Sequence, residues 1–398
     1  MRQLEGWANL SILTPEVLQV LQLCDISEPL FPNLETLKLC PATGEFTPYI
    51  PLFLSPRTTT IDILFTKTGH HEVAIASLLS TSLTQCPNLQ SITLHGLPRD
   101  PMIAMAVSGM LLANNRNSLR FLQVGSQLTE EAHEVICQLP SLRHLWVDIE
   151  EGISSPSMVL PNLTDITIEH GHGSTWSQMF SGATLRKLQS VTFMFRSEQS
   201  DDLLERFEGV ALAASIHTTL SEFHVHTSTS WNPTYSSLLP FTQLVHLTAQ
   251  FSCGDVCSSS VDDDVITNLA QAMPRLETLQ LGDSPCSRIL TGVTAKGLLV
   301  LARHCLDLSW LCLHFHVTSF SDSDLPAVAR NSGPTVTRRD CALKVMDVGK
   351  ICLPEESELV VALTLARIFP QLECVGGWGR NWGYVADAIR VSRQLVSH

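Results

Sequence analysis

The stretch that decides the fold is MPRLETLQLGD, residues 273–283, which nearly repeats FPNLETLKLC, residues 31–40. Both place apolar residues at relative positions 1, 4 and 6, in the pattern L-x-x-L-x-L. In an extended strand the last two of these positions lie two residues apart and point to the same face. The pattern therefore predicts a short strand with one buried face, entered through a turn that holds the first leucine.

The same pattern recurs along most of the chain. Successive first positions from Leu89 to Leu372 are on average about 28 residues apart, near the long end of the ~20–29-residue leucine-rich repeat. Weaker copies surround Ile61, Leu343 and Leu372 and bring the total to thirteen. The clear copies begin at Leu34, Leu89, Leu119, Leu142, Leu163, Leu188, Leu220, Leu244, Leu276 and Leu308.

The segments between the strands have a helical period. Apolar residues at i, i+3, i+4 and i+7 predict helices within 71–86, 129–140, 201–215, 262–274, 294–305 and 357–370, and 13–24 also reads as helical. One strand and one helix cannot bury their own apolar faces, so neighbouring units must stack. The sequence predicts an α/β leucine-rich-repeat solenoid, a horseshoe of about 12–13 irregular repeats. Its short parallel strands would line the concave face and its helices the convex face.

The ends of the array differ from its middle. Residues 1–30 are interpreted as an N-terminal cap or partial repeat, 31–375 as the array and 376–398 as a C-terminal capping helix. GGWGRNWG, residues 376–383, reads as a turn whose tryptophans anchor this cap. Four stretches do not follow the pattern: residues 40–56 are Pro-rich and apolar, 226–237 and 252–264 read as polar loops, and 318–340 reads as an irregular or mobile insertion.

Composition excludes several classes of protein. The net charge of −14 argues against binding to nucleic acid or to anionic membranes, which require a high density of Lys and Arg. No run of 18 apolar residues suggests a membrane span. The twelve cysteines are scattered, without CxxC, and the N-terminus does not look like a signal peptide. We expect reduced thiols in a cytoplasmic or nuclear protein that is not secreted.

No motif in the sequence specifies a reaction. Walker, GxSxG and HExxH patterns are absent, so we expect no catalytic residues, no cofactor and no metal. The alternate strand positions should instead form a concave surface that binds a protein partner. These candidate partner-binding residues are rich in His and acids: His144, Trp146, Asp148, Asp165, Glu169, Glu222, His224, His226, His246, Gln250, Trp310 and His314.

Two interpretations of these positions stay open. Glu222, His224 and His226 should lie beside His246, which suggests either a metal-binding or pH-sensitive patch or ordinary polar positions on an exposed sheet. The tryptophans at 146 and 310 are the candidate anchors of a partner, unless a loop covers them.

A family resemblance can be stated from one repeat. LTGVTAKGLLVLARHCLDLSWLCLHF, residues 290–315, resembles the cysteine-containing leucine-rich repeats of F-box proteins, whose helix reads T-x-x-G-L-x-x-L-A-x-x-C. The segment from Pro29 to Ile63 is similar to the start of the repeat region in F-box/leucine-rich-repeat-like proteins of mushroom-forming fungi. The resemblance is carried by Thr294, Gly297, Leu298, Leu301, Ala302 and Cys305, followed by Leu308, Leu311 and Leu313.

The resemblance implies substrate recognition within a cullin-type ubiquitin ligase. No segment of the sequence matches the F-box motif, and LTPEVLQVLQL, residues 13–23, lies too close to the first repeat. A Skp-type adaptor is therefore expected only if an F-box lies upstream. The alternatives are a leucine-rich-repeat scaffold or inhibitor without a link to ubiquitin, and a metal-dependent enzyme that uses the His-rich patch.

Overall fold

Each clear copy of the leucine pattern forms a β-strand whose apolar residues at positions 4 and 6 are buried. In the repeat at residue 276, Leu279 is fully buried and Leu281 is nearly so. The chain divides into two compact units, Met1–Leu188 and Gln189–His398. The computed structural model describes residues 2–5, 14–24, 29–42, 46–65, 72–98, 100–113, 117–148, 158–169, 180, 183–195, 216–227, 235–251, 261–282, 292–315, 341–348, 357–377 and 382–396.

The first unit contains seven described strands that pair in parallel and in chain order. They are β1 Gln3–Glu5, β2 Thr36–Ala42, β3 Thr60–Phe65, β4 Ser91–His95, β5 Phe121–Gln127, β6 His144–Asp148 and β7 Asp165–Glu169. The helices are α1 Pro15–Leu23, α2 Glu72–Gln85, α3 Pro101–Ala113 and α4 Glu130–Ile136, with a 3-10 segment at Thr47–Phe53.

The second unit repeats this arrangement, again with seven described parallel strands in chain order. They are β8 Ser190–Phe195, β9 Glu222–Thr227, β10 His246–Phe251, β11 Thr278–Leu281, β12 Trp310–Leu313, β13 Val345–Asp347 and β14 Cys374–Gly376. The helices are α5 Asp263–Ala272, α6 Ala295–His304, α7 Glu358–Ile368 and α8 Trp382–Val396, with a 3-10 segment at Tyr235–Leu238.

The two near-identical decapeptides make the same backbone contacts. The N–H of the first leucine donates to the carbonyl three residues earlier, at 3.0 Å for Leu34 and 3.2 Å for Leu276. The carbonyl of the next residue, Glu35 or Glu277, accepts two N–H donors from the following strand entry. A proline between the turn residues has no N–H to leave unpaired, which suits it to this position. The repeated sequence therefore encodes one repeated turn and strand.

Most of the predicted helices are confirmed. Helices α2, α4, α5, α6 and α7 lie within the predicted segments, and α1 and α8 lie within the two terminal segments. The predicted helix 201–215 and the insertion 318–340 lie outside the described residues. The sequence pattern did not predict β1, which pairs with β2, or helix α3. The architecture is an α/β repeat of parallel strands alternating with helices.

Five cysteines of the described residues and Trp382 are core residues, whereas Cys24 and Cys374 are exposed. Cys86, Cys305 and Cys341 are buried free thiols, and burial raises the pKa of Cys305 to about 12. Trp382 begins helix α8 instead of lying in a turn, is 2% exposed and packs edge-on against Phe315, while Trp378 lies outside the described residues. Among the described helices, none is both long and apolar enough to cross a bilayer.

Candidate functional site

The side of each sheet opposite the buried leucines carries the candidate residues, and we call it the outer face. Its side chains stand at the first, third and fifth positions of each strand, because side chains alternate along a strand. In the first unit His144 and Trp146 on β6 lie in register with Asp165 and Thr167 on β7. In the second unit Glu222 on β9 lies in register with His246 on β10.

In the first unit, Trp146 is the centre of a cluster that we call the Trp146 site, formed by His95, Gln123, His144, Trp146 and Asp165. The indole is half-buried, and the ring of His95 meets it edge-on with centroids 6.1 Å apart. The indole Nε1 is buried and has no hydrogen-bond partner among the described residues. Since the N–H points inward, the part of the ring that reaches solvent is its apolar carbon edge.

A contact between a histidine and a carboxylate forms the rim of the Trp146 site. His144 Nδ1 lies 2.8 Å from Asp165 Oδ2, and both side chains are nearly half exposed. The hydroxyl of Thr164 lies 2.6 Å from the same carboxylate oxygen, which holds the carboxylate in place. The ring of Phe121 packs against His144 with centroids 5.6 Å apart. The rim is thus polar, ordered and accessible, while the centre is apolar.

In the second unit the predicted residues form a separate cluster, the His224 site, made of Glu222, His224, His226, His246 and Gln250. His226 donates from Nδ1 to Gln250 Oε1 at 2.6 Å, across the β9–β10 pair. His224 Nε2 lies 3.7 Å from Glu222 Oε2. Burial lowers the pKa of His224, the Glu222 carboxylate raises it, and the nearby imidazoles of His226 and His246 lower it further. The imidazole of His224 is therefore held in its uncharged form at neutral pH.

Four predicted residues lie outside the two clusters. Trp310 on β12 is half-buried and is separated from His246 by Thr278 of β11. Glu169 ends β7 and is half-buried. Asp148 and His314 are only 3% and 4% exposed. The prediction of an exposed face does not hold for these last two, which end or follow a strand where the chain leaves the sheet. Strand alternation sets the side on which a residue stands but not what covers it.

Two members of the Trp146 site, His95 and Gln123, are not among the partner-binding residues that the sequence predicted. Gln123 on β5 lies in register with Trp146, is 5% exposed, and approaches His95 Nδ1 to 3.5 Å. The sequence pattern places Gln123 on the outer face, because Gln123 stands between Leu122 and Val124 in the repeat that begins at Leu119. Applying the alternation rule to that copy would have found it.

The geometry of the described residues offers no metal cage. No three side chains of His, Cys, Asp or Glu within the described ranges are grouped so that they hold a metal ion. On β9 and β10 the imidazoles form a row along a flat sheet, whereas zinc requires a tetrahedral set of ligands. What the outer face provides is two clusters of polar and aromatic side chains.

A scan of protein-family models finds none that matches this chain, and a search of curated proteins finds no match either.

Proposed function

We propose that this chain is a non-catalytic protein-recognition module whose partner docks on the Trp146 site. The observation that carries the proposal is the apolar edge of Trp146, exposed at the centre of a polar and ordered rim. Tryptophan is among the residues that contribute most to binding when a partner covers them. A surrounding rim of polar side chains excludes water from such a centre and orients the partner.

We further propose that the repeats are leucine-rich repeats of the cysteine-containing class, which curve into a horseshoe. Buried first leucines such as Leu276 support this assignment. So do the thiols of Cys305 and Cys341, which donate to backbone carbonyls of neighbouring repeats, with Cys341 Sγ lying 3.3 Å from the carbonyl of Cys305. A cysteine that bonds the preceding turn explains why one recurs at the end of the repeat helix.

The resemblance to F-box proteins gives the proposed biological role, which is to recognise substrates for a cullin-type ubiquitin ligase in the cytoplasm or nucleus. The Trp146 site would then bind the substrate, and a Skp-type adaptor would join only through an F-box. A scaffold or inhibitor would use the same site without the adaptor. Both roles therefore predict that partner binding depends on Trp146. They differ in whether a Skp-type adaptor is recovered together with the partner.

The test is quantitative affinity purification of the tagged full chain from cells of its source organism. Wild type is compared with Trp146→Ala, which removes the anchor. Tyr384→Ala is the matched control, because it removes an aromatic ring that is 69% exposed on helix α8. We expect a specific set of proteins to be depleted at least about tenfold by Trp146→Ala and retained by Tyr384→Ala.

The outcomes separate the alternatives. Thermal melting must first show that both variants fold. Equal recovery of all proteins by wild type and Trp146→Ala would contradict the recognition proposal. A Trp146-dependent protein recovered with a Skp-type adaptor and a cullin supports the ligase role. The same protein recovered without them, also when the tag is placed at the 3′ end of the chromosomal gene so that any upstream F-box is included, supports a scaffold or inhibitor.

A further inference from the structure

Helices α2 and α3 of the first unit are unusual for helices that reach the surface, because they carry almost no charge. Helix α3, PMIAMAVSGMLLA, has no charged residue, and α2 has only Glu72 at its start. Each helix buries one side in the core, through Ile75 and Leu78 of α2 and Val107 of α3. A helix that is apolar all round is normally covered on every side. The core explains one side of α3 and leaves its other side unexplained, whereas the uncovered side of α2 combines Val73 with Ser77 and Ser80.

The uncovered sides of α2 and α3 form a continuous stripe, which we call the α2–α3 surface. Val73 is 73% exposed, Met105 is 62% exposed and Met102 is 36% exposed. Because α2 and α3 pack side by side, their exposed positions run next to each other. The spacing within each helix keeps these residues on one face. The members of the surface are Val73, Ser77, Ser80, Met102, Met105 and Gly109.

Gly109 provides a gap in this surface. It lies in an exposed part of α3, and a Cβ added there would meet nothing within 4 Å. Glycine is unfavourable inside a helix, and this one is not required by its packing within the chain. Methionines beside a gap make an adaptable apolar surface on which another helix can approach closely. The geometry fits a helix laid along the stripe.

The charges that border the α2–α3 surface define the partner. Helix α4 packs against α3 and exposes Glu130, Glu131 and Glu134. Its own backbone N–H and the Thr129 hydroxyl lower the pKa of Glu131, which keeps that carboxylate ionised. The sequences of α2, α3 and α4 contain no Lys or Arg. On the α4 side the described border is therefore acidic, and a partner that covers it gains from positive charge beside its apolar face.

We infer that the α2–α3 surface binds an amphipathic helix of a protein partner that carries Lys or Arg beside its apolar face. A second copy of this chain fits this surface less well, because its α4 glutamates would face those of the first copy. An anionic membrane is disfavoured for the same reason. This surface lies on the helices rather than on the outer face of the strands, so the inference stands independently of the Trp146 site.

The test measures the binding of two labelled peptides to the full chain by fluorescence anisotropy. One peptide is an amphipathic helix with Leu at i, i+3, i+4 and i+7 and Lys beside this face. Its twin has Glu in place of every Lys. We expect the Lys peptide to bind at least about tenfold more tightly than its twin and to weaken as salt is raised.

Substitutions locate the binding. Met105→Lys should lower the affinity for the Lys peptide at least about tenfold, because the added positive charge repels the lysines of the peptide. Met105→Glu should lower this affinity less. Gly109→Gln should also weaken binding, because it fills the gap without adding charge. Leu363→Lys is the matched control, as it places the same charge at another exposed apolar position, on helix α7.

Several results would overturn the inference. One is no binding of the Lys peptide, and another is equal affinity for both peptides. A third is an equal loss of affinity in Leu363→Lys and Met105→Lys, with all variants folded by circular dichroism. Sedimentation velocity and vesicles of phosphatidylserine and phosphatidylcholine test the other occupants. A dimer that dissociates in Met105→Lys would show that the occupant is a second copy of this chain. Vesicle binding that is lost in Met105→Glu would show that the occupant is a membrane.

Discussion

Asp263, the first residue of helix α5, accepts a 3.0 Å hydrogen bond at Oδ1 from the backbone N–H of Gly297 in helix α6. The same carboxylate accepts from the backbone N–H of Thr294 at 2.8 Å and from its hydroxyl at 2.6 Å. A carboxylate near the first turn of a helix pairs with otherwise unsatisfied N–H groups there. The first helical residue of one repeat thus caps the helix of the next repeat. Thr294 and Gly297, which belong to the T-x-x-G-L-x-x-L-A-x-x-C motif, therefore have a structural role.

Gly297→Ala should destabilise the fold, because its methyl would lie 2.5 Å from Asp263 Oδ1 and 3.3 Å from a methyl of Val293. We expect a loss of about 1–3 kcal/mol in the free energy of unfolding, as for other overpacked sites. Gly109→Ala is the matched control, since its methyl meets nothing, and it should stabilise α3 by about 0.5–1 kcal/mol. Urea denaturation followed by circular dichroism measures both changes.

A double-mutant cycle identifies the cause of the loss. In an Asp263→Ala background the oxygen that meets the new methyl is gone, so Gly297→Ala should cost less than it does in wild type. Additive effects of the two substitutions would show that the carboxylate is not the obstacle.

His133 should make stability depend on pH. It is 1% exposed in helix α4, and burial lowers its pKa from 6.5 to about 4. At pH values between 4 and 6.5 the imidazole is protonated in the unfolded chain and neutral in the folded chain. Stability therefore falls as the pH drops from 6.5 to 4, and this loss is complete below pH 4. At pH 4.5 the loss in the free energy of unfolding is about 2–3 kcal/mol.

The measurement for His133 compares wild type with His133→Leu. Urea denaturation of both at pH 7 and at pH 4.5 cancels the titration of all other groups. We expect the variant to lose less stability between the two pH values than wild type does. Identical losses would mean that His133 is not held neutral in the folded chain.

The sequence predicted the repeated elements well because two periods act together in each repeat. Leu279 and Leu281 stand two residues apart and are both buried, as a strand with one covered face requires. Helix α3 was missed because PMIAMAVSGMLLA is apolar on every side and shows no 3.6-residue alternation. Strand β1 was missed because three residues, Gln3–Glu5, are too few to show a pattern.

The sites were predicted less completely, for a physical reason. The period of a strand places Trp146 and His144 on the outer face, and that much follows from the sequence. The same period places Gln280 on the outer face, yet Gln280 is 8% exposed, between Thr248 and Cys312 of the adjacent strands. The burial of an outer-face side chain depends on the residues of the adjacent strands, about 4.8 Å away across the sheet. The spacing within one repeat does not specify those residues.

The contrast between core and surface positions of one strand can be measured at β11. Leu279→Ala should cost about 2–5 kcal/mol, because it leaves a cavity at a fully buried site. Thr278→Ala, at the half-buried outer position beside it, should change stability by no more than about 0.5 kcal/mol. Urea denaturation compares the two variants, and a similar cost for both would contradict the assigned faces of the strand.

The pKa of His224 provides a direct probe of the outer face in the second unit. Burial lowers it, and the Glu222 carboxylate, 3.7 Å from His224 Nε2, opposes this effect. Glu222→Gln should therefore lower the pKa of His224 further, whereas His246→Asn should raise it by removing a second imidazole. The side chains in register on the flanking strands, such as Thr192 and Thr248, do not titrate, so these groups set the balance. NMR titration of the imidazole Cε1–H shift gives both values, and a shift of the His224 pKa in the same direction in both variants would contradict the described cluster.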